Sequence, residues 1–126
     1  MNIDDILYID DNQKTQHIIK RIAIFLGLKL RRIDSIGKLE EYLTENTARC
    51  YIMEFLIPRN EKLKAEPIAG EIIEVIRRYD PPAQIIMHSA HEKAEEFAKK
   101  ENLGYRKKAV GETGLLLREI ANKIKT

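Results

Sequence analysis

Apolar residues recur along this chain in short runs that switch between strand-like and helix-like spacing. "ILYI" at 6–9 is short, apolar and stops at Asp10, Asp11 and Asn12, which predicts a buried strand opening into a helix-capping turn. Ile18, Ile19, Ile22, Phe25 and Leu26 follow at helical spacing on one face, and Gly27 closes the run. "LKLRRI" at 28–33 alternates leucines with basic positions, the pattern of an edge strand with one wet face. Asp34 or Ser35 then caps a second helix, whose Ile36, Leu39, Tyr42 and Leu43 share a side.

"CYIMEFLI" at 50–57 is apolar on consecutive positions, as expected of a central strand covered on both faces. After Pro58 the charged stretch "RNEKLKAEP" at 59–67 predicts a long loop, and past Gly70 a third helix carries Ile72, Ile73, Val75 and Ile76. "DPP" at 80–82 ends that helix, because proline cannot continue one and disfavours helical geometry in the residue before it. "QIIM" at 84–87 is a fourth strand, and a helix from about Glu92 to Glu101 turns Ala94, Phe97 and Ala98 inward. A short fifth strand around Tyr105 and a last helix with Leu116, Leu117, Ile120 and Ile124 complete the alternation. Five strands alternating with five helices predict the α/β class: right-handed crossovers and a parallel sheet between two helical layers.

Composition narrows the function classes. The 126 residues suit one domain spanning 1–126, and 44% hydrophobic with 33% charged residues describe a solvated globular chain. A net charge of +2, from 22 basic and 20 acidic residues spread along the chain, leaves no basic field for direct nucleic-acid binding. The single Cys50 excludes an internal disulfide, the N-terminus carries acids at Asp4 and Asp5 rather than a signal peptide, and no apolar run approaches membrane-spanning length. The expectation is a cytoplasmic protein that does not enter membranes.

In an open parallel sheet, ligands sit beyond the carboxyl ends of the strands. The first strand ends in Asp10 and Asp11, the third carries Glu54 near its end, the fourth leads into Ser89 and the fifth into Lys108. Three acids, a hydroxyl and an ammonium are thus expected at one edge, with Asp4 and Asp5 at the opposite one. Clustered carboxylates repel and raise one another's pKa unless a cation compensates, so this edge calls for Mg²⁺, Lys108, or both. Mg²⁺ suits a few carboxylate oxygens plus waters, whereas the nitrogen and sulfur ligands that zinc prefers are not assembled.

With "ILYIDDN", "EFLIP", "IIMHSA" and "GYRKKA" in this order at these strand ends, the chain resembles a response-regulator receiver domain of two-component signalling over nearly its whole length. The resemblance implies a flavodoxin-like (βα)5 fold with strand order 2-1-3-4-5. It implies that Asp10 and Asp11 match the Mg²⁺-holding acidic pair, Ser89 the switch hydroxyl, Lys108 the phosphate-pairing lysine and Tyr105 the aromatic that rotates inward on activation. Ala90 matches the small residue above the site. Lys107 competes for the lysine role, but Tyr105 and Ala109, where the family usually has proline, favour Lys108.

Glu54 stands where the family has the phosphoacceptor aspartate, four residues before Pro58. Its extra methylene displaces the carboxylate by roughly 1.5 Å, enough to suppress in-line phosphoryl transfer, and lets it reach toward Lys108 and Ser89. The expected function is therefore a receiver that signals by protein contact without phosphorylation. The expected partners are a histidine kinase, phosphotransfer protein or downstream effector, with a homodimer through the helix four, strand five and helix five face as a further option. The rivals are a conventional Mg²⁺-dependent phosphoacceptor and a small Mg²⁺-dependent phosphohydrolase, which lacks a second aspartate and a glycine-rich phosphate loop here. The expectation is that the chain is not an enzyme.

Other features take ordinary readings. His88, in or beside a buried strand, and His91, in a loop, read as satisfied core or surface histidines; His17 lies on helix one without the helical bundle a phosphotransfer histidine needs, and Cys50 reads as a small buried residue. Arg31, Arg32, Arg106 and Lys107 read as edge-strand charges that discourage aggregation.

Overall fold

The computed structural model describes residues 2–60 and 62–125. Its strands are β1 (Asn2–Ile9), β2 (Leu30–Ile33), β3 (Asn46–Met53), β4 (Ile85–Ser89) and β5 (Gly104–Lys107). They alternate with α1 (Gln16–Leu26), α2 (Ile36–Glu45), α3 (Ala69–Tyr79), α4 (Ala94–Lys100) and α5 (Glu112–Lys125). The sheet has the order β2-β1-β3-β4-β5, and every pairing is parallel. This is the (βα)5 receiver-type arrangement expected from the sequence.

Consecutive apolar residues on the central strands serve two cores. Leu7, Ile9, Tyr51 and Met53 face α2, α3 and α4, while Ile6, Tyr8, Cys50 and Ile52 face α1 and α5. Successive strand side chains point to opposite faces, so a strand buried on both sides must be apolar without alternation. Ser35 caps α2 by accepting from the Lys38 amide at 3.3 Å, and Asp34 instead meets the Lys38 ammonium at 3.1 Å. Gly27, at φ 72°, supplies the left-handed turn that ends α1.

Two expectations need correction. β3 covers 46–53 rather than 50–57: its polar first residues pair with Asn2 to Asp4 of β1, and Phe55 to Ile57 leave the sheet. Ile57 instead forms an isolated antiparallel bridge with Glu66. On α1 the sheet-facing residues are Ile19 and Ala23, flanked by the partly buried Ile22 and Leu26, while Ile18 is 59% and Phe25 84% exposed. The small Ala23, not a large residue, marks the buried line, and the helix is apolar over a wider arc than the sheet covers.

Asp4 and Asp5 are at the amino end of β1, opposite the site edge. Asp4 accepts from the Tyr42 hydroxyl at 2.7 Å, and Asp5 from the Lys29 amide at 2.8 Å, with Arg49 at 3.4 Å from its carboxylate. Both are structural. The 59–67 loop is tied down: Arg59 holds Glu71 through two 2.7 Å hydrogen bonds and meets Glu66 at 3.4 Å. The carbonyls of Pro58 and Arg59 accept from the first amides of α2, Ile36 and Gly37, each at 3.1 Å.

Candidate functional site

Register brings the strand ends together. Ile9 pairs with Met53, so the next residues, Asp10 and Glu54, leave β1 and β3 side by side. Backbone bonds fix both: the Asp10 amide donates to Ile33 and the Glu54 amide to Ile9, each at 3.0 Å. On the other side, Ser89 pairs with Lys107, and the Lys108 amide donates to the Ser89 carbonyl at 3.1 Å. The Lys108 side chain, 19% exposed, then reaches back across the strand ends toward the acids.

Lys108 Nζ donates to Asp10 Oδ2 and, at 3.2 Å, to Glu54 Oε2. Burial alone would lower the lysine pKa, but Asp10 above all, with Tyr8 and Glu54, outweighs it and holds the ammonium well above its ordinary value. The other oxygens are also engaged. Asp10 Oδ1 accepts from the Asn12 amide at 2.9 Å, and Glu54 Oε1 folds back to accept from the Phe55 amide at 2.8 Å. Asp11 is exposed, and its carboxyl pKa is raised by partial burial first and by Asp10 and Glu54.

The hydroxyl expected beside the acids is turned elsewhere. Ser89 is fully buried, and its Oγ accepts from the His91 amide at 3.0 Å, tying down the β4–α4 loop. His91 stacks on Phe55 with ring centroids 4.7 Å apart, and Phe55 meets Phe97 edge-on at 5.7 Å, so an aromatic cluster backs the loop after Glu54. Tyr105 is partly buried against the core, and burial with nearby Glu95 and Glu54 raises its phenol pKa. Lys107 is exposed on β5, which leaves the inner position to Lys108.

Two side chains around the site were not read from the sequence as part of it. Tyr8, two residues before Asp10 on β1, has a buried hydroxyl without a well-formed hydrogen bond among the described residues. Burial pushes its phenol up to about 12, with Asp10 and Glu54 adding to the shift while Lys108 and Thr113 oppose it. Thr113 bonds His88 Nε2 at 2.8 Å, and His88 Nδ1 bonds the Arg106 carbonyl at 2.9 Å, so this buried imidazole is satisfied on both sides. The period-two pattern of β1 could have flagged Tyr8; Thr113 carries no local signal.

Among the described residues no three carboxylate, imidazole or thiolate groups form a metal-holding set. The donor chemistry agrees: Asp10 and Glu54 each give one oxygen to the lysine ammonium and the other to a backbone amide. In this arrangement the Lys108 ammonium is the cation that meets Asp10 and Glu54, while Asp11 stays exposed at the rim. Of the edge-strand arginines, Arg31 lies 3.8 Å from Asp4, Arg106 joins Glu112 at 3.0 Å and also Glu119, and Arg32 donates to Gln16 Oε1 at 3.4 Å. Among the described residues no helix is long and apolar enough to cross a membrane.

No protein-family model matches the sequence, and no curated protein matches it. Solved structures do. A CheY-like receiver domain from Methanospirillum hungatei JF-1 superposes with a TM-score of 0.75 at 18% identity, over 98% of this chain and 94% of that one. A receiver domain from Clostridium thermocellum gives 0.71 at 22% identity, over 97% of each chain. A de novo designed Rossmann 2x3 protein gives 0.65 at 15% identity, over 95% of this chain and 90% of that one. The likeness establishes the fold; because a designed protein shares it, function rests on the side chains at the strand ends.

Proposed function

We propose that this chain is a signalling receiver domain whose pocket is held by a fixed ion pair instead of a phosphorylation switch, and that it acts through protein contacts. The carrying observation is Lys108 bridging Asp10 and Glu54 while Glu54 Oε1 is bound to the Phe55 amide. The receiver-like fold and the placement of Asp10, Asp11, Ser89, Tyr105 and Lys108 at one edge support the signalling reading. The chain acts as a binding module, not as an enzyme.

Glu54 reproduces part of what a phosphoryl group does in such a pocket. It gives Lys108 an anionic partner, but one carboxylate charge replaces about two, and Ser89 remains engaged with the His91 amide. The pocket is held by one ammonium between two carboxylates without being switched. Mg²⁺ is dispensable in this reading, since the Lys108 ammonium already meets both Asp10 and Glu54 and separates their like charges.

The test is intact-mass measurement after incubation with acetyl phosphate and Mg²⁺. The wild type is expected to stay unmodified, and Glu54→Asp to gain one phosphoryl group by withdrawing the carboxylate from Lys108 into an acceptor position. A labile adduct on the wild-type Glu54 peptide would sink the proposal in favour of a conventional phosphoacceptor.

A further inference from the structure

Away from the strand-end site, the edge of the sheet carries a charged hollow. β2 is an edge strand, and a pocket of ≈ 440 Å³ opens beside it, lined by Lys20 of α1 and by Lys29, Arg31 and Arg32. Leu28 and Leu30 form its apolar part. From Asn12 to Ile33 the sequence has six basic residues and no acid. Asp4, the acid in the pocket wall, is buried; it already accepts from the Tyr42 hydroxyl at 2.7 Å and meets Arg31 at 3.8 Å. The Lys20, Lys29 and Arg32 side chains form no ion pair among the described residues. Four cations thus converge on one acid, although the whole chain carries only +2.

The Arg32 guanidinium is short of acceptors. Its Nη1 makes a long hydrogen bond of 3.4 Å to Gln16 Oε1, while Nε and Nη2, both shielded from solvent, have no acceptor among the described residues. These two N–H groups form one side of the guanidinium fork, the geometry that grips a phosphate or a carboxylate through two parallel bonds. A shielded donor without an acceptor destabilises the fold. Swinging this loosely held group into the pocket it lines, onto an anion, removes that cost.

We propose that the pocket between α1 and β2 binds a small diphosphate-bearing molecule, gripped by Arg32, neutralised by Lys20 and Lys29, and resting its organic part on Leu28 and Leu30. Charge and shape select this class. With Asp4 answering one of the four cations, three remain. A single carboxylate meets one of them, a phosphate monoester about two, and a diphosphate more. The volume of the hollow is in the range of small-ligand sites. A bilayer fits less well because its phosphates lie on a flat surface, and an acidic peptide because its charges are spread along an extended chain. The proposal goes beyond the receiver reading and stands without it, since Lys20, Lys29 and Arg32 lie outside the Lys108 ion-pair network.

The test is an amide chemical-shift titration with inorganic pyrophosphate at constant ionic strength. Inorganic sulfate, a glutamate-rich peptide and phosphatidylserine vesicles run in parallel. Saturable shifts at residues 16–20 and 28–32, with sulfate bound about tenfold or more weaker, are expected. Arg32→Gln should weaken pyrophosphate binding about tenfold, the effect of one charged two-bond contact. Lys20→Gln, an exposed substitution that leaves the core untouched, should weaken it about threefold. Arg21→Gln removes the same charge from α1 outside the pocket and should leave binding unchanged. Failure to saturate, equal shifts with sulfate, which denote an adventitious ion only, or equal losses in Lys20→Gln and Arg21→Gln would each overturn the proposal. So would shifts centred on Asp10 and Lys108, or tighter binding of the peptide or the vesicles than of pyrophosphate.

Discussion

Lys108, from the end of β5, places its ammonium against Glu54 Oε2 at 3.2 Å and against Asp10, across residues 54 and 98 positions away in sequence. The Asp10 side chain is 3% exposed and that of Glu54 16%, so this is a largely desolvated three-charge cluster. It makes the candidate site a fixed part of the fold.

Lys108→Met keeps the packed stem and removes the ammonium, leaving two carboxylates facing each other without compensation. The expected loss is about 3–5 kcal/mol in urea unfolding, the range for breaking one partner of a buried pair. Adding Asp10→Asn should restore part of it. An unchanged unfolding midpoint in the single variant would show that the cluster is solvated and not part of the fold's support.

Alkaline conditions should destabilise the protein steeply. Burial pushes the Cys50 thiol from 9.0 and the Tyr8 phenol from 10.0 up to about 12. Tyr42 and Tyr51 are also raised, by burial first and then by hydrogen bonds to Asp4 and Asp80, and Lys108 by its acidic partners. The unfolded chain therefore loses these protons at lower pH than the native state, and stability falls as pH rises. Each group adds a slope of up to about 1.4 kcal/mol per pH unit. Urea midpoints should begin to fall near pH 9 and drop faster above pH 10, and Cys50→Ala should delay the onset.

His88 governs the acid side. Burial, with Lys108 adding to it, lowers its pKa below 6.5 despite the hydrogen bond to Arg106. The unfolded chain then takes up a proton that the native state refuses, so stability present at neutral pH declines as pH falls below 6.5. His88→Gln should flatten the dependence between pH 7 and pH 5, measured by urea unfolding. A wild-type midpoint that is constant over this range would contradict the assignment.

Arg59→Ala should free the loop after Pro58. The substitution removes the two-pronged contact with Glu71 and the 3.4 Å contact with Glu66. Faster limited proteolysis between residues 60 and 66 is expected, with little change in the global unfolding midpoint, because the pairs are exposed and the core is untouched. Equal cleavage rates would mean that the Ile57 to Glu66 bridge alone holds the segment.

Some errors in reading the sequence share one cause. Ile18 and Phe25 fit the helical period of α1 as well as Ile19 and Leu26 do, and period alone cannot tell which part of a wide apolar arc the sheet will cover. The start of β3 at Asn46 was hidden because its polar residues earn their place by pairing with β1. Ser89 was correctly placed at the end of β4, yet its hydroxyl direction depends on the His91 amide in the folded loop.

The sequence by itself determined the alternation of strands and helices and the edge at which Asp10, Glu54, Ser89 and Lys108 emerge. Those features follow from local periodicity and from the handed connection of parallel strands, which need no long-range distances. Only the tertiary structure decided that Glu54 folds one oxygen back to the Phe55 amide, that Lys108 serves two acids at once, and that α1 and β2 leave a basic pocket beside Arg32. These outcomes depend on ångström-scale distances between residues far apart in the chain, where hydrogen bonds and ion pairs compete for the same few atoms.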